Sequence, residues 1–445
     1  MCFFFTFTGF NAIAIILLIL YYVTLSRGRR NKTLTDNSRE SKVFSFFQLV
    51  QFVNGPCNTT AGRQGACFTP DECLSRGGMG AGTCAAGFGV CCTFSLACGA
   101  TSTEECSFLM MNGMAPGMSP IPSPCVYTIC RSAPDICRIR FDFLMFTLAG
   151  PAVGTTVRRN GPDILDGTMG GTIGDCLMDS MTITSPGGVS SPTICGSNTG
   201  QHMVMDASDA CNQVIFTTRG METRNWDIKV TQFACANDMG GPPGCLQYFN
   251  GMMGTVSSFN FPSGGAVVPG GMAVPASATH LSNQCYSICF RQEPGQCAIC
   301  FAPVVAGGES KMAENMVQGS FGLSNPVKSR PRAEDNKDCL SDYLRIPGAQ
   351  PKNDVNAFVV GSVGEGVPTF SKICGRYFAV SNNGNKRFEN NQSICTQRTP
   401  FRIDFKTDAD EMVTGTMTNM AMNNEQAGFP GGIVGFNLNW ALVSC

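Results

Sequence analysis

The chain has 445 residues, of which 31 are basic and 32 acidic, so its net charge is close to zero. Nucleic-acid binding depends on a strong basic field, and this balance excludes a partner chosen by bulk charge. Charged residues make up only 14% of the chain, against roughly 25% in ordinary soluble domains, and the 51 glycines favour short strands and long loops. The length indicates two to four domains.

Cysteine is the most informative residue type. There are 25 cysteines; Cys2 lies beside an N-terminal apolar run, and the remaining 24 form an even set consistent with twelve disulfides. A reducing cytosol would not maintain such a set, so we expect the secretory pathway or the extracellular space. A zinc site is disfavoured because Cys297 and Cys300 form the only pair with Cys-x2-Cys spacing and the chain has two histidines.

Residues 3–25 form the apolar run. Its length suits a signal peptide or a membrane anchor, and Thr24 and Ser26 are placed for cleavage after Ser26. The basic residues that follow would favour a cytoplasmic side if the run were retained, whereas the disulfides require the opposite side. We therefore expect 1–26 to be a signal peptide, or a signal anchor with an extracellular C-terminal part, followed by a linker over 27–56.

Six cysteines lie close together in residues 57–92. They are Cys57, Cys67, Cys73, Cys84, Cys91 and Cys92. A module this small cannot bury enough apolar surface without covalent bridges, and spacing alone does not fix which cysteines pair. The pattern, which ends in a vicinal pair, resembles the clip domain attached to arthropod extracellular serine proteases. An unrelated small cystine knot is the alternative.

One short stretch occurs twice in the rest of the chain. The first copy reads Tyr-Thr-Ile-Cys at 127–130 and Cys-Arg-Ile-Arg-Phe at 137–141; the second reads Tyr-Ser-Ile-Cys at 286–289 and Cys-Ala-Ile-Cys-Phe at 297–301. Alternation of apolar residues at period two predicts strands, and the short segment between the cysteines predicts a hairpin in each copy. The repeat therefore indicates two related β-domains.

The two halves continue with the same motifs in the same order, which indicates duplication. Each has Cys-x2-Asp, Ile-Cys-Gly, a further cysteine, Phe-x-Thr and a closing strand with a tryptophan, Trp226 in the first half and Trp440 in the second. One face of each closing strand is apolar and would pack into a sandwich core. The repeat also predicts the bridges Cys130–Cys137, Cys289–Cys297, Cys211–Cys235 and Cys395–Cys445.

This ordered set, with Gly-Phe-x-Leu-x-Trp at 435–440, resembles the CUB domain, a jelly-roll β-sandwich of extracellular and plasma-membrane proteins. The resemblance covers roughly 106–235 and 245–445, and the extra cysteines resemble those of arthropod CUB proteins. It implies the bridges Cys176–Cys195 and Cys339–Cys374.

Many CUB domains bind Ca²⁺ through a Glu and two Asp at one end, and such oxygen ligands suit this ion. In the second half, Asp342 and Asp408 match the two aspartates, and Glu334 lies at a plausible spacing for the glutamate. The alternative is that these acids are solvated loop residues. The first half keeps Asp179 but has Arg219 near the position of the second aspartate, so we expect no site there.

Nothing in the sequence predicts catalysis. Neither His202 nor His280 has the context of a catalytic triad, and no Gly-Asp-Ser-Gly-Gly or His-Glu-x2-His motif occurs. We expect both histidines to be ordinary surface or strand residues. Asn31, Asn58 and Asn391 begin glycosylation acceptor triplets, which are available in a secreted chain.

The predicted architecture is all-β, with two tandem CUB-like jelly-roll β-sandwiches over 98–235 and 245–445 and a small clip-like disulfide module over 57–92. The expected function is non-enzymatic, extracellular binding or scaffolding, with loops that recognise protein or carbohydrate and Ca²⁺ as the one candidate cofactor. We expect the protein to be secreted or anchored in the membrane through residues 3–25. Two alternatives remain: a non-catalytic regulator of an extracellular protease cascade, and a structural matrix component.

Overall fold

A computed structural model of the chain describes the greater part of its C-terminal region. The described residues are 52, 54–111, 123–151, 174–261, 279–304, 320–323, 333–334, 339–351, 370–375, 377–380, 391–409 and 434–445. The apolar run and most of the linker lie outside them. No helix within these ranges combines the length and the apolar character needed to cross a bilayer.

The cystine module belongs to a compact unit that ends at Thr93. Its sheet has the order β1-β2-β4-β3 and carries one short helix. The elements are β1 Pro56–Asn58, β2 Gln64–Phe68, α1 Pro70–Ser75, β3 Met79–Cys84 and β4 Gly89–Thr93. Three bridges join them: Cys57–Cys91, Cys67–Cys84 and Cys73–Cys92. The first cysteine therefore pairs with the fifth, the second with the fourth and the third with the sixth.

Residues 94–445 form the second compact unit, which contains two sandwiches. In the first sandwich, a sheet with the order β10-β12-β8-β6 packs against one with the order β11-β9-β13-β7-β5. The strands are β5 Ser95–Leu96, β6 Thr101–Ser102, β7 Cys106–Met110, β8 Cys125–Ile129, β9 Ile136–Thr147, β10 Ser180–Thr184, β11 His202–Asp206, β12 Asn212–Thr217 and β13 Asn225–Ala234. Strand β8 shows why they form: Cys125, Tyr127 and Ile129 alternate on its buried face.

The second sandwich has one layer with the order β14-β16-β23-β20 and another with β15-β24-β17-β22. Its strands are β14 Gln247–Phe249, β15 Met253–Ser257, β16 Cys285–Phe290, β17 Gln296–Pro303, β18 Phe321–Gly322, β19 Ala333–Glu334, β20 Tyr343–Pro351, β21 Phe370–Gly375, β22 Ile394–Thr396, β23 Arg402–Lys406 and β24 Gly435–Ser444. Strand β20 pairs first with β23 and later with β22, so it runs from one layer to the other. Gly348 has a φ of 69°, and a side chain there would meet Arg398.

The two sandwiches share one strand order. Strands β6, β8, β12 and β10 correspond to β14, β16, β23 and β20, and strands β7, β13, β9 and β11 correspond to β15, β24, β17 and β22. Even the parallel contact between β6 and β8 recurs between β14 and β16. The predictions of an all-β fold and of two related sandwiches are confirmed.

The predicted hairpins are wrong. Strand β8 pairs with β12 in one layer, whereas β9 pairs with β13 and β11 in the other layer. The second copy behaves in the same way, because β16 pairs with β23 and β17 with β24. The short segment between the two cysteines of each copy therefore crosses from one layer to the other. Period-two alternation identified these strands correctly, but it does not reveal which strands become neighbours.

This crossing also corrects four predicted bridges: Cys130–Cys137, Cys211–Cys235, Cys289–Cys297 and Cys395–Cys445 do not form. Each cysteine instead pairs with a partner beside it in its own layer. The bridges in this region are Cys98–Cys125, Cys130–Cys211, Cys137–Cys235, Cys245–Cys289, Cys297–Cys445 and Cys300–Cys395. The structure also contains Cys176–Cys195 and Cys339–Cys374, which the family resemblance implied.

In all, the described residues hold eleven disulfides rather than twelve. Cys285, at the start of β16, has an exposed side chain and forms no disulfide with any described residue.

One continuous hydrophobic core runs through both sandwiches. Phe259, which follows β15, lies between them: its ring centroid is 6.5 Å from that of Phe143 in the first sandwich and 5.2 Å from that of Tyr286 in the second. Polar contacts accompany this packing. The backbone N–H of Asn260 donates to Asn198 Oδ1 at 2.7 Å. The two sandwiches therefore pack against each other and share one hydrophobic core.

Candidate functional site

In the first sandwich, a buried acidic residue is fully neutralised by an arginine. Asp179 immediately precedes β10, and its side chain has no exposed surface. Arg224, immediately before β13, donates from Nε to Oδ2 at 2.7 Å and from Nη2 to Oδ1 at 2.9 Å. The backbone N–H groups of Ala149 and Arg219 donate to the same carboxylate, at 2.9 and 3.2 Å. This bidentate pair leaves no role for a metal ion at Asp179.

The corresponding acidic residue of the second sandwich is Asp342, immediately before β20. It is 5% exposed, and its Oδ1 accepts a hydrogen bond from the backbone N–H of Asp408 at 2.9 Å. Asp408 follows β23 by two residues, as Arg219 follows β12. Burial raises the pKa of Asp342 to about 7, because the charged carboxylate is poorly solvated there and the charge of Asp408 lies nearby.

Among the residues that the structure describes, the guanidinium of the first sandwich has no counterpart in the second. Cys235 and Cys445 both close the last strand of their sandwich, and Arg224 and Val434 each lie eleven residues before that cysteine. Val434 is fully buried and packs with Phe261. Among the described residues, no basic side chain forms an ion pair with Asp342. Within the described ranges, the first sandwich therefore pairs its buried acid with a guanidinium, whereas the second offers only the nearby charge of Lys406.

The structure brings together two of the three acidic residues predicted to bind Ca²⁺. Asp342 and Asp408 share a hydrogen bond. Glu334 lies on β19 opposite Cys374 in the backbone register, and its side chain falls outside the described part of the structure. Within the described ranges, no group of three acidic, histidine or cysteine side chains is arranged to hold a metal. The complete predicted set of Asp342, Asp408 and Glu334 is therefore still a prediction.

Both histidines are buried. His202 is a strand residue, as one of the two expected alternatives had it, whereas His280 lies neither at the surface nor in a strand. His202 is the first residue of β11, and its Nε2 accepts a hydrogen bond from the backbone N–H of Tyr248 in the second sandwich, at 2.9 Å. His280 is fully buried, and burial lowers its pKa to about 4. His202 thus joins the two sandwiches, a position that its sequence neighbours did not indicate.

A second candidate surface is an open groove on the outer face of β15, β24, β17 and β22, with a volume of about 410 Å³. Small or polar side chains form its floor, among them Thr255, Ala302, Asn439 and Ala441. Met253 at its rim is 74% exposed. The edge of the sheet is also more open here than in the first sandwich. Strand β5 pairs with β7 there, whereas the described residues place only β24 beside β15.

Residues 242–443 match the animal CUB domain. The second sandwich is a CUB domain. Because the first sandwich repeats the strand order of this CUB domain, it is CUB-like in architecture. No curated protein matches the chain in sequence.

Solved structures that are similar to parts of the chain include three extracellular regions. The CUB1-EGF-CUB2 region of human MASP-1/3 is 14% identical, covers 76% of this chain and 100% of its own, and has a TM-score of 0.21. The corresponding domains of rat MASP-1 are 14% identical and cover 78% and 99%, with a TM-score of 0.20. The extracellular region of zebrafish Gpr126/Adgrg6 is 13% identical and covers 56% and 23%, with a TM-score of 0.21.

Proposed function

We propose that this protein is a non-enzymatic, extracellular binding protein that recognises a protein or glycan through the Asp342 end of its CUB domain, with Ca²⁺ ordering that end. One observation carries the proposal. Among the described residues, Asp342 is a buried acid that forms no ion pair and has only the nearby charge of Lys406, whereas its counterpart Asp179 is paired with Arg224. The disulfides support a location outside the reducing cytosol.

The donor set fits a hard divalent cation. Asp342 supplies a buried carboxylate whose pKa is raised chiefly by burial, and Asp408 supplies a second, half-buried carboxylate close by. Glu334 is the proposed third donor. Bound Ca²⁺ would neutralise the cluster and take oxygen ligands, of which it accepts about six to eight. Loops joined in this way would present a defined surface to a partner.

Calorimetry of the metal-free full chain with Ca²⁺ tests the cofactor. We expect saturable heat and a rise in the melting temperature for the wild type, and neither for Asp342→Asn. The matched control is Asp209→Asn, which removes an acid whose side chain is 93% exposed and should leave Ca²⁺ binding unchanged. Absence of heat and of a thermal shift at millimolar Ca²⁺ would end the Ca²⁺ part of the proposal.

Capture from extracellular fluid tests the binding function and locates the surface. The full chain is immobilised as wild type, as Asp342→Asn and as Ala441→Trp, which fills the groove beside β15. We expect a saturable partner that is retained by the Ala441→Trp variant and lost by Asp342→Asn. Loss with Ala441→Trp alone would move the binding surface to the groove, and no saturable partner in any arm would favour a matrix component.

A regulator of an extracellular protease cascade is the second candidate, favoured by the cystine module. The module lies in a compact unit of its own with all six of its cysteines bridged. In its favour stands the resemblance of this cysteine pattern to clip domains. Protease binding that survives Asp342→Asn but is lost when residues 57–92 are deleted would support this candidate over the first.

A further inference from the structure

Two glycosylation triplets that look alike in sequence differ in the exposure of their asparagine side chains. The first is Asn58-Thr59-Thr60, at the end of the edge strand β1. The side chain of Asn58 is exposed, and Thr60 is exposed in the turn that follows. Thr59 between them is 6% exposed, and its Oγ1 accepts a hydrogen bond from the backbone N–H of Arg63 at 2.9 Å. The triplet thus runs along a tight turn with both reacting residues facing outward.

The triplet Asn391-Gln392-Ser393 has the opposite arrangement. The Oδ1 of Asn391 accepts a hydrogen bond from the backbone N–H of Phe378 at 2.6 Å, and its Nδ2 is buried. The next residue is also held in place, because the backbone N–H of Gln392 donates to the carbonyl of Phe378 at 2.8 Å. An N-linked sugar is attached through Nδ2, so a glycan on Asn391 is incompatible with this packing.

We propose that Asn58 carries an N-linked glycan in the folded protein and that Asn391 does not. In the transfer, Asn58 Nδ2 forms a bond to the anomeric carbon of a lipid-pyrophosphate-linked oligosaccharide. The bond from that carbon to the phosphate breaks, and the lipid pyrophosphate leaves as the amide nitrogen gives up one proton. Thr60 supplies the hydroxyl that the acceptor triplet requires. The proposal rests on the extracellular location proposed above.

Site occupancy in the full chain, expressed through a eukaryotic secretory pathway, tests this assignment. Enzymatic deglycosylation in ¹⁸O water marks each occupied asparagine, and peptide mass spectrometry then reads Asn58 and Asn391 separately. We expect the mark on Asn58 in most molecules and on Asn391 in almost none. Thr60→Ala should remove the Asn58 mark and Thr60→Ser should keep it. Ser393→Ala, which spares the Asn391 hydrogen bond, should leave the glycan mass unchanged.

Two results would overturn the assignment: an unmarked Asn58, or a marked Asn391 in correctly oxidised protein. A non-reducing gel of the same sample separates this failure from a failure of the proposed location. Oxidised protein with an unmarked Asn58 rejects the glycan and leaves the binding function standing. Fully reduced protein would contradict both the glycan assignment and the proposed extracellular location.

Discussion

At the scale of single residues, the two sandwiches differ most at one buried acidic position. Asp179 and Asp342 occupy equivalent places before equivalent strands, and both are almost completely removed from solvent. A buried carboxylate is costly unless a positive group or hydrogen bonds compensate it. Arg224 supplies that group in the first sandwich, and Val434 stands in its place in the second. Opposite responses to mutation at these positions are therefore expected.

We predict that metal-free Asp342→Asn is more stable than the wild type at pH 7.5 and that this advantage disappears toward pH 4. The folded-state pKa of Asp342, about 7, lies above its ordinary value of 3.8, so the protonated acid favours folding. That contribution is present at low pH and is lost as pH rises through 7. Urea unfolding of both proteins at several pH values measures the difference between their unfolding free energies. Because His202 and His280 titrate in both proteins, their contributions cancel in that difference. A pH-independent difference would contradict the assignment, and added Ca²⁺ should reverse its sign.

Arg224→Leu should destabilise the first sandwich by about 3–5 kcal/mol, because it leaves the Asp179 carboxylate buried without its cation. Adding Asp179→Asn should restore much of the loss. Arg131→Leu is the matched control, since its partner Asp209 is 93% exposed and such pairs contribute little. Urea denaturation provides the measurement. A loss for Arg224→Leu no larger than for the control would show that the buried pair is not important for stability.

His202→Phe should cost about 1–3 kcal/mol at pH 7.5, since the buried N–H of Tyr248 loses its acceptor. Burial, together with the charge of Arg140, holds the pKa of His202 well below 6.5. The neutral imidazole therefore stabilises the fold above pH 6.5, and this contribution is lost as pH falls. The difference in unfolding free energy between wild type and variant should shrink between pH 7 and pH 5. A difference that grows on acidification would be incompatible with a neutral acceptor.

At the scale of strands, these disulfides join strands that are neighbours in the same layer. Non-reducing peptide mapping should yield Cys130 linked to Cys211 and Cys137 linked to Cys235, and no peptide with Cys130 linked to Cys137. The first two links join strands within a layer, whereas the third would join the two layers. Recovery of the Cys130–Cys137 peptide from native protein would contradict the crossing between layers.

The repeat made the strands and the duplication predictable from sequence, because alternation and motif order are local properties. The pairing of Cys130 and Cys137 was mispredicted because partners are set by sheet topology, which here joins cysteines 81 and 98 positions apart. At the candidate site, Asp342 and Asp408 could be named from family motifs. Arg224 could have been found by aligning the two halves on their last cysteine, which places it opposite Val434.

At the scale of the whole molecule, the shared core predicts that both sandwiches unfold together. The chain has two tryptophans, both buried, one in each sandwich: Trp226 and Trp440. The variants Trp226→Phe and Trp440→Phe therefore each leave one reporter. We expect the urea midpoint reported by Trp226 in one variant to coincide with the midpoint reported by Trp440 in the other, once the effect of each substitution on stability is subtracted. Phe259→Ala should lower both midpoints together, because it should lower the free energy of unfolding by about 3–5 kcal/mol. Separate midpoints would show that the sandwiches unfold independently.

The bridges also determine what a single proteolytic cut can do. Cys137–Cys235 and Cys297–Cys445 span most of their sandwiches, so a nick between the bridged residues leaves one covalent molecule. None of the disulfides in the described ranges spans residues 236–244, which connect the sandwiches and are largely exposed. In a protease-rich fluid, a cut in this connector would leave only the shared core and the polar contacts between the sandwiches to hold the two pieces together.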